Sequence, residues 1–272
     1  MGTKGSELTA VAVSFLILSW LTIALRLYVR TRVKKFFGVD DILALLSLFV
    51  FTTICGLIIA GVKAGMGTHF ADLSLESYSR GSKLFFLCEL LYVLVTALVK
   101  VSICITLLRI AVERPQVYTL YAIIVLTTLF SIFYFFFILF LCRPTSFFWE
   151  QVLGATDGSC LPGNAITSAT YAHGIFIVMV DLTLGTFPIF LVRKLKLNYR
   201  SKVSVALILA FGSIASVATI ARLPNVQSLA NRTDFLYANA PLGLSSAVEI
   251  GISICASSAA TLRPLLIQFR IF

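Results

Sequence analysis

The stretch KLFFLCELLYVLVTALVKVSICITLLRIAVER, Lys83–Arg114, decides the fold. It is a long apolar run, and an α-helix needs roughly 20 apolar residues to cross a bilayer. It nevertheless carries Glu89 near one end and Lys100 well inside. Ionisable groups in hydrocarbon are costly, so they face a protein interior or a watery cavity. Eleven positions at about 100° each return to the same face, which puts Glu89 and Lys100 on one side of the helix. That side must look into a bundle.

Composition agrees. The chain is 59% hydrophobic and 12% charged, with a mean hydropathy of +0.98. A soluble domain carries about twice that charge. The net charge of +10 is not a nucleic-acid footprint, because the basic residues sit at span ends instead of on one soluble face. The expected localisation is integral and multi-pass, in the plasma membrane or an endomembrane, with the lipid bilayer as first partner.

Seven apolar segments emerge, at about 7–29, 40–62, 84–112, 117–142, 164–192, 202–223 and 240–266. None alternates as a barrel strand would. The fold class is therefore all-α, a seven-transmembrane-helix bundle making one domain over residues 1–272. The first segment lacks a small-residue cleavage site and is expected to be a retained span.

Basic residues in short connections set the orientation. Arg26, Arg30, Arg32, Lys34 and Lys35 follow the first span, and Arg193, Lys194, Lys196, Arg200 and Lys202 follow the fifth. Seven spans put both groups on one side, so the N-terminus is expected outside and the C-terminus in the cytoplasm. Asn231 opens a glycosylation sequon in the 6–7 connection, on the expected outer side. Cys142 and Cys160 bracket the 4–5 connection on that side, where an oxidising compartment permits a disulfide; Cys88, near the same surface, is a competing partner. Cys55, Cys104 and Cys255 lie within spans and behave as small apolar residues.

A set of short motifs runs in order along nearly the whole chain. It begins with Asp40-Asp41, Gly65-Met66-Gly67-Thr68-His69, Glu89-Leu90-Leu91-Tyr92 and Lys100-Val101-Ser102-Ile103. It continues through Leu107-Leu108-Arg109-Ile110, Cys142-Arg143-Pro144, Trp149, Cys160, Asp181, Pro188, Arg222 and Glu249 to Leu262-Arg263-Pro264-Leu265. With these motifs the chain resembles the fungal rhodopsin-like integral membrane family. The resemblance implies seven helices and two kinds of relative: proteins of secondary-metabolite clusters and Pth-type receptor-like surface proteins. The chain closes soon after Pro264 without the long tail of the receptor-like members, and no Cys-rich module precedes the first span. Both departures turn the expectation away from signalling. A retinal Schiff base is not expected either, because AVEIGISICASSAATLRP in the last span has no Lys; no cofactor is expected.

Depth along each span, at about 1.5 Å per residue, sorts the polar residues into two layers. Glu89, His173 and Glu249 fall in the outer half, with Tyr92 and Tyr171 nearby as ligand contacts. Buried carboxyls can donate and recover a proton, so this layer is the candidate acid/base site; the plainer alternative is that the groups satisfy one another between helices. His69, after two glycines, is placed to cap the bundle mouth. Lys100 and Asp181 lie roughly 25 Å down and are expected to pair, since each alone is costly to bury; the alternative is that Lys100 snorkels to the inner surface. Asp40 and Asp41 are expected to cap the second span and pair with the Arg30–Lys35 cluster. Pro188 is expected to kink the fifth span. Two separated histidines make no metal site.

The leading functional expectation is a participant in fungal secondary metabolism that binds an apolar small molecule and cyclises or isomerises it. The alternative is a G-protein-coupled-receptor-like sensor with a cytoplasmic signalling partner, and the third is a small-molecule transporter.

Overall fold

The structure is a computed structural model that describes residues 4–33, 35–109, 111, 113–193 and 234–259, with single positions 217, 219, 220, 224, 226 and 261. It describes no side chains over 188–193, so Pro188's effect on its helix is left aside. Most of the expected sixth span, the basic connection beyond Arg193, and Asn231 lie outside the described residues.

The elements are α1 (Gly5–Tyr28), a π-helical turn (Val29–Val33), α2 (Val39–Lys63), α3 (Leu75–Leu108) and α4 (Arg114–Leu139). They continue with β1 (Cys142–Arg143), α5 (Phe147–Glu150), β2 (Ser159–Cys160), α6 (Gly163–Arg193), α7 (Phe235–Ala238) and α8 (Ala240–Ala259). Six helical stretches among the described residues are long and apolar enough to cross a membrane, and they fall on the expected first five spans and the last. The protein is an integral, multi-pass membrane protein.

Helix ends follow local chemistry more closely than hydropathy does. α3 begins at Leu75, well before the apolar run at 84, because the Ser74 hydroxyl accepts the Ser77 N–H at 3.3 Å. Its 34 residues extend about 51 Å, well beyond the hydrocarbon thickness of about 30 Å. At the start of α2, the Asp41 carboxylate accepts the Gly38 N–H at 3.1 Å, which satisfies an orphan donor of the first turn. A Cβ at Gly38 would displace the Arg109 guanidinium, which packs over it.

α3 is the central rod, packed against α2, α4, α8 and the 4–5 connection, while α1 packs on α2 and α8. Leu8, Leu48, Phe51, Val93, Val95, Leu242 and Ile250 fill the interior. Ile17, Leu21, Leu129, Phe133 and Met179 project outward, where the solvent is lipid.

Cys142 and Cys160 form the disulfide, facing each other across the β1–β2 pair; Cys88 is free. The bridge ties the end of α4 to the start of α6 at what we call the disulfide end. The opposite end, where α2 starts, is the Asp40 end. Closing a loop of 18 residues restricts the unfolded chain by about 3 kcal/mol. The Cys142→Ser/Cys160→Ser variant is therefore expected to lose about that much stability in a thermal or denaturant unfolding assay. An unchanged midpoint contradicts it.

Candidate functional site

A buried polar contact joins α3 and α8. The Tyr92 hydroxyl donates to both carboxylate oxygens of Glu249 at 3.0 Å, with Glu249 0% exposed. Beyond Tyr92 lies an aromatic stack. The His173 ring meets Tyr92 edge-on at 6.5 Å and lies parallel to Tyr134 at 4.1 Å. The Tyr134 hydroxyl donates to Thr170 Oγ1 at 2.9 Å, joining α4 to α6. So Tyr92, Glu249 and His173 come together, and Tyr134 and Thr170 extend the cluster. Tyr171 packs against the core and is half-buried.

Glu89 takes a different direction. It lines a cavity of about 50 Å³ with Phe85, Phe86, Tyr134, Phe148 and Phe235. A second cavity of about 190 Å³ lies toward the disulfide, bordered by Tyr78, Ser82, Gln151 and Cys160. The two share Leu141, Phe148, Ile166 and Phe235 as walls. Glu249, His173 and Tyr171 line neither of these two cavities. Glu89 thus stands at a cavity wall, and Glu249 is bonded between helices.

His69 closes the disulfide end beside these cavities. Its Nδ1 lies 2.6 Å from Asp234, and its ring stacks on Tyr237 at 3.7 Å. Lys4 Nζ lies over the same Tyr237 ring, 4.2 Å from its centroid. The two glycines preceding His69 form a tight turn, with Gly67 at φ +86° and Gly5 so near that a Cβ would lie 2.9 Å from its nitrogen. Burial pushes the Asp234 carboxyl up, but the Phe70 N–H and the His69 ring outweigh it, so the group sits below its ordinary range. Asp234 precedes Phe235, and this clasp therefore anchors a wall shared by both cavities.

Deeper in the bundle, Lys100 on α3 donates to Asp181 on α6, and Asp181 also accepts the Thr219 hydroxyl at 3.3 Å. Lys100 is 1% and Asp181 6% exposed. Two ions so buried lose most of their hydration, and their mutual attraction and the hydroxyl bond must offset it.

At the Asp40 end stands the densest charge cluster. Arg26 binds Asp40 at 2.8 Å and Asp41 at 2.9 Å; Arg30 binds them at 2.6 Å and 3.2 Å. Arg109, from the end of α3, also pairs with Asp40 and lies 4.9 Å from the Phe36 ring. Thr106 donates to the same carboxylate, Ser102 to the Asp40 carbonyl, and Arg26 to the Ser257 carbonyl of α8. Three guanidiniums and two carboxylates thus join α1, α2, α3 and α8. The sequence placed Arg26 in a connection and paired the aspartates with the Arg30–Lys35 cluster. In the structure Arg26 is helical and 0% exposed, while Arg32 and Lys35 are exposed. The π-helical turn continues α1 far enough to carry Arg30 back over the aspartates.

Among the described residues no three His, Cys, Asp or Glu side chains meet as a metal site requires.

Residues 25–268 match the family described as the fungal rhodopsin domain. A curated relative, Receptor GIN3 of Arthrobotrys oligospora, is 23% identical over 257 residues, covering 94% of this chain. The chain spans 61% of that relative's length. No solved structure matches.

Proposed function

The chain belongs to the fungal rhodopsin domain family, and from that premise we propose that it is a receptor-like sensor. An apolar small molecule enters the cavities at the disulfide end, and α3 relays its presence to the Asp40 end. The carrying observation is the reach of α3. One end of this helix supplies Phe85, Phe86 and Glu89 to the cavity wall, and the other supplies Arg109 to the charge cluster. A shift of a rigid helix by a fraction of a turn is felt at both of its ends. The relative Receptor GIN3 is named as a receptor, which supports the same reading.

In this reading seven helices cross the membrane, with the disulfide end outside and the Asp40 end in the cytoplasm. A disulfide forms in an oxidising compartment, and basic residues gather on the cytoplasmic side; both support the orientation. A catalytic role in secondary metabolism would need acid and base to reach one substrate. Glu89 borders a cavity, whereas Glu249 is held by Tyr92 away from both, which favours sensing over chemistry.

The test is a strain lacking the gene, complemented by wild type or by Arg109→Glu. The deletion is expected to keep its metabolite profile and lose a transcriptional response to a surface or a neighbouring organism. Wild type restores the response to the cue, whereas Arg109→Glu reaches the membrane and gives the transcriptional output without the cue. Accumulation of one uncyclised or unrearranged intermediate in the deletion overturns the sensor reading.

A further inference from the structure

We infer that His69 and Asp234 form a proton-operated latch on the cavities at the disulfide end. With the His69 ring protonated, the latch holds the wall that carries Phe235; with the ring neutral, that wall loosens. The inference goes beyond the sensor reading, because it concerns access to the cavities, whatever enters them.

The latch joins two segments far apart in the chain. His69 lies in the connection between α2 and α3, and Asp234 stands directly before α7. His69 Nδ1 is 2.6 Å from one Asp234 oxygen, and the other oxygen accepts the Phe70 N–H at 2.8 Å. The His69 ring stacks on Tyr237 at 3.7 Å, and the Gly67 N–H donates to the Leu236 carbonyl at 3.2 Å. Between Asp234 and Leu236 sits Phe235. It packs edge-on against Phe85 at 5.1 Å and Phe148 at 5.8 Å. It also walls both the larger cavity and the aromatic chamber that Glu89 lines. α7 has four residues, too few for a helix to hold its own place. The contacts with the 2–3 connection therefore help to set where Phe235 stands.

One of those contacts responds to protons. An imidazole is the side chain that changes charge between about pH 5 and 8. Asp234 sits below its ordinary range, so it stays ionised across that window. An imidazolium gives the carboxylate a charge-assisted hydrogen bond, about twice as strong as a neutral ring can give. The latch is therefore tight in acid and loosens as pH rises. Lys4 Nζ, 4.2 Å from the Tyr237 centroid, is a like charge that opposes the imidazolium. On His69's own connection, the Asp72 N–H donates to the His69 carbonyl at 3.1 Å. From α3, Tyr78 meets the neighbouring Phe70 edge-on at 4.8 Å. Asp234 is the group in hydrogen-bond contact with the imidazole, and the two side chains are 37% and 32% exposed, open to protons from the medium. In the orientation proposed above that medium is the outer one, so an acidic surface closes the cavities and a neutral one opens them.

Hydrogen exchange in nanodiscs, read by mass spectrometry on a peptide covering Phe235–Gly243, tests the latch. Wild type and His69→Gln are compared at the same pH, so the intrinsic pH dependence of exchange cancels. At about pH 5.5 wild type is expected to exchange about fivefold more slowly than His69→Gln, and at about pH 8 equally fast. In an Asp234→Asn background the same comparison should give equal rates at both pH values. Unchanged exchange over the middle of α8 shows that each variant has folded. A ratio of wild type to His69→Gln that is the same at both pH values overturns the latch, and it leaves the sensor reading standing because no ligand takes part. A pH-dependent ratio that survives Asp234→Asn overturns it as well, since another group then carries the effect.

Discussion

Replacing Asp40 by Asn is expected to cost about 3–5 kcal/mol of stability, among the largest effects of any single substitution in the chain. The carboxylate is fully buried and answers Arg26, Arg30, Arg109 and the Thr106 hydroxyl at once. Without its charge, three guanidiniums share Asp41 alone. The amide keeps the shape, so the loss comes from uncompensated charge and not from a void. Arg109→Gln should behave quite differently and cost about 1 kcal/mol or less. Its side chain is 30% exposed, and its removal leaves two cations facing two anions. Thermal unfolding of both variants in the same lipid checks the contrast. Equal losses would mean that Arg109 is as integral to the cluster as Asp40, and that it cannot serve as the releasable member.

The second large effect is expected at the centre of the bundle. Lys100→Met leaves Asp181 at 6% exposure without its cation, a loss of about 3–5 kcal/mol. Adding Asp181→Leu removes the stranded charge, so the double variant should recover a substantial part of that loss. A double variant as unstable as the single one shows that the two charges are independent and that packing alone sets the cost. The same unfolding assay reads both outcomes.

The two clusters were legible in the sequence to different degrees, for physical reasons. Lys100 and Asp181 stood out because depth along a helix follows from residue count, and both fell at one depth. Depth does not give direction around the helix. Glu89 and Tyr92 lie one turn apart on α3 but about 60° apart around it, which is why Glu89 faces α4 and α6 while Tyr92 finds Glu249 on α8. The expected union of Glu89 with Glu249 rested on depth alone, which carries no direction around the helix. Arg26 was hidden by a general rule. Arginines at span ends are ordinarily topology signals, but α1 runs to Tyr28 and keeps Arg26 inside the helix, while the turn Val29–Val33 carries Arg30 over the aspartates. The aromatic chamber left the faintest trace. Phenylalanine is common on lipid-facing surfaces, so FYFFFILF at 133–140 gives no sign that Tyr134 turns inward while Phe133 and Phe136 stay outside. Phe235 comes from a stretch before the last long helix, where hydropathy carries little pattern.

Filling the cavities at the disulfide end is expected to move the Asp40 end. The most direct measurement is the distance between spin labels at Thr31 and Arg114, both exposed at the Asp40 end. Pulsed electron resonance reads it in nanodiscs, with the free cysteines Cys55, Cys88, Cys104 and Cys255 replaced. A compact apolar probe, tert-butylbenzene, is added to saturation. A second distance population is expected in the presence of probe, and the same population in unliganded Arg109→Ala. A distribution unchanged by a bound probe and by Arg109→Ala would contradict it, because α3 would then join the two ends without coupling them.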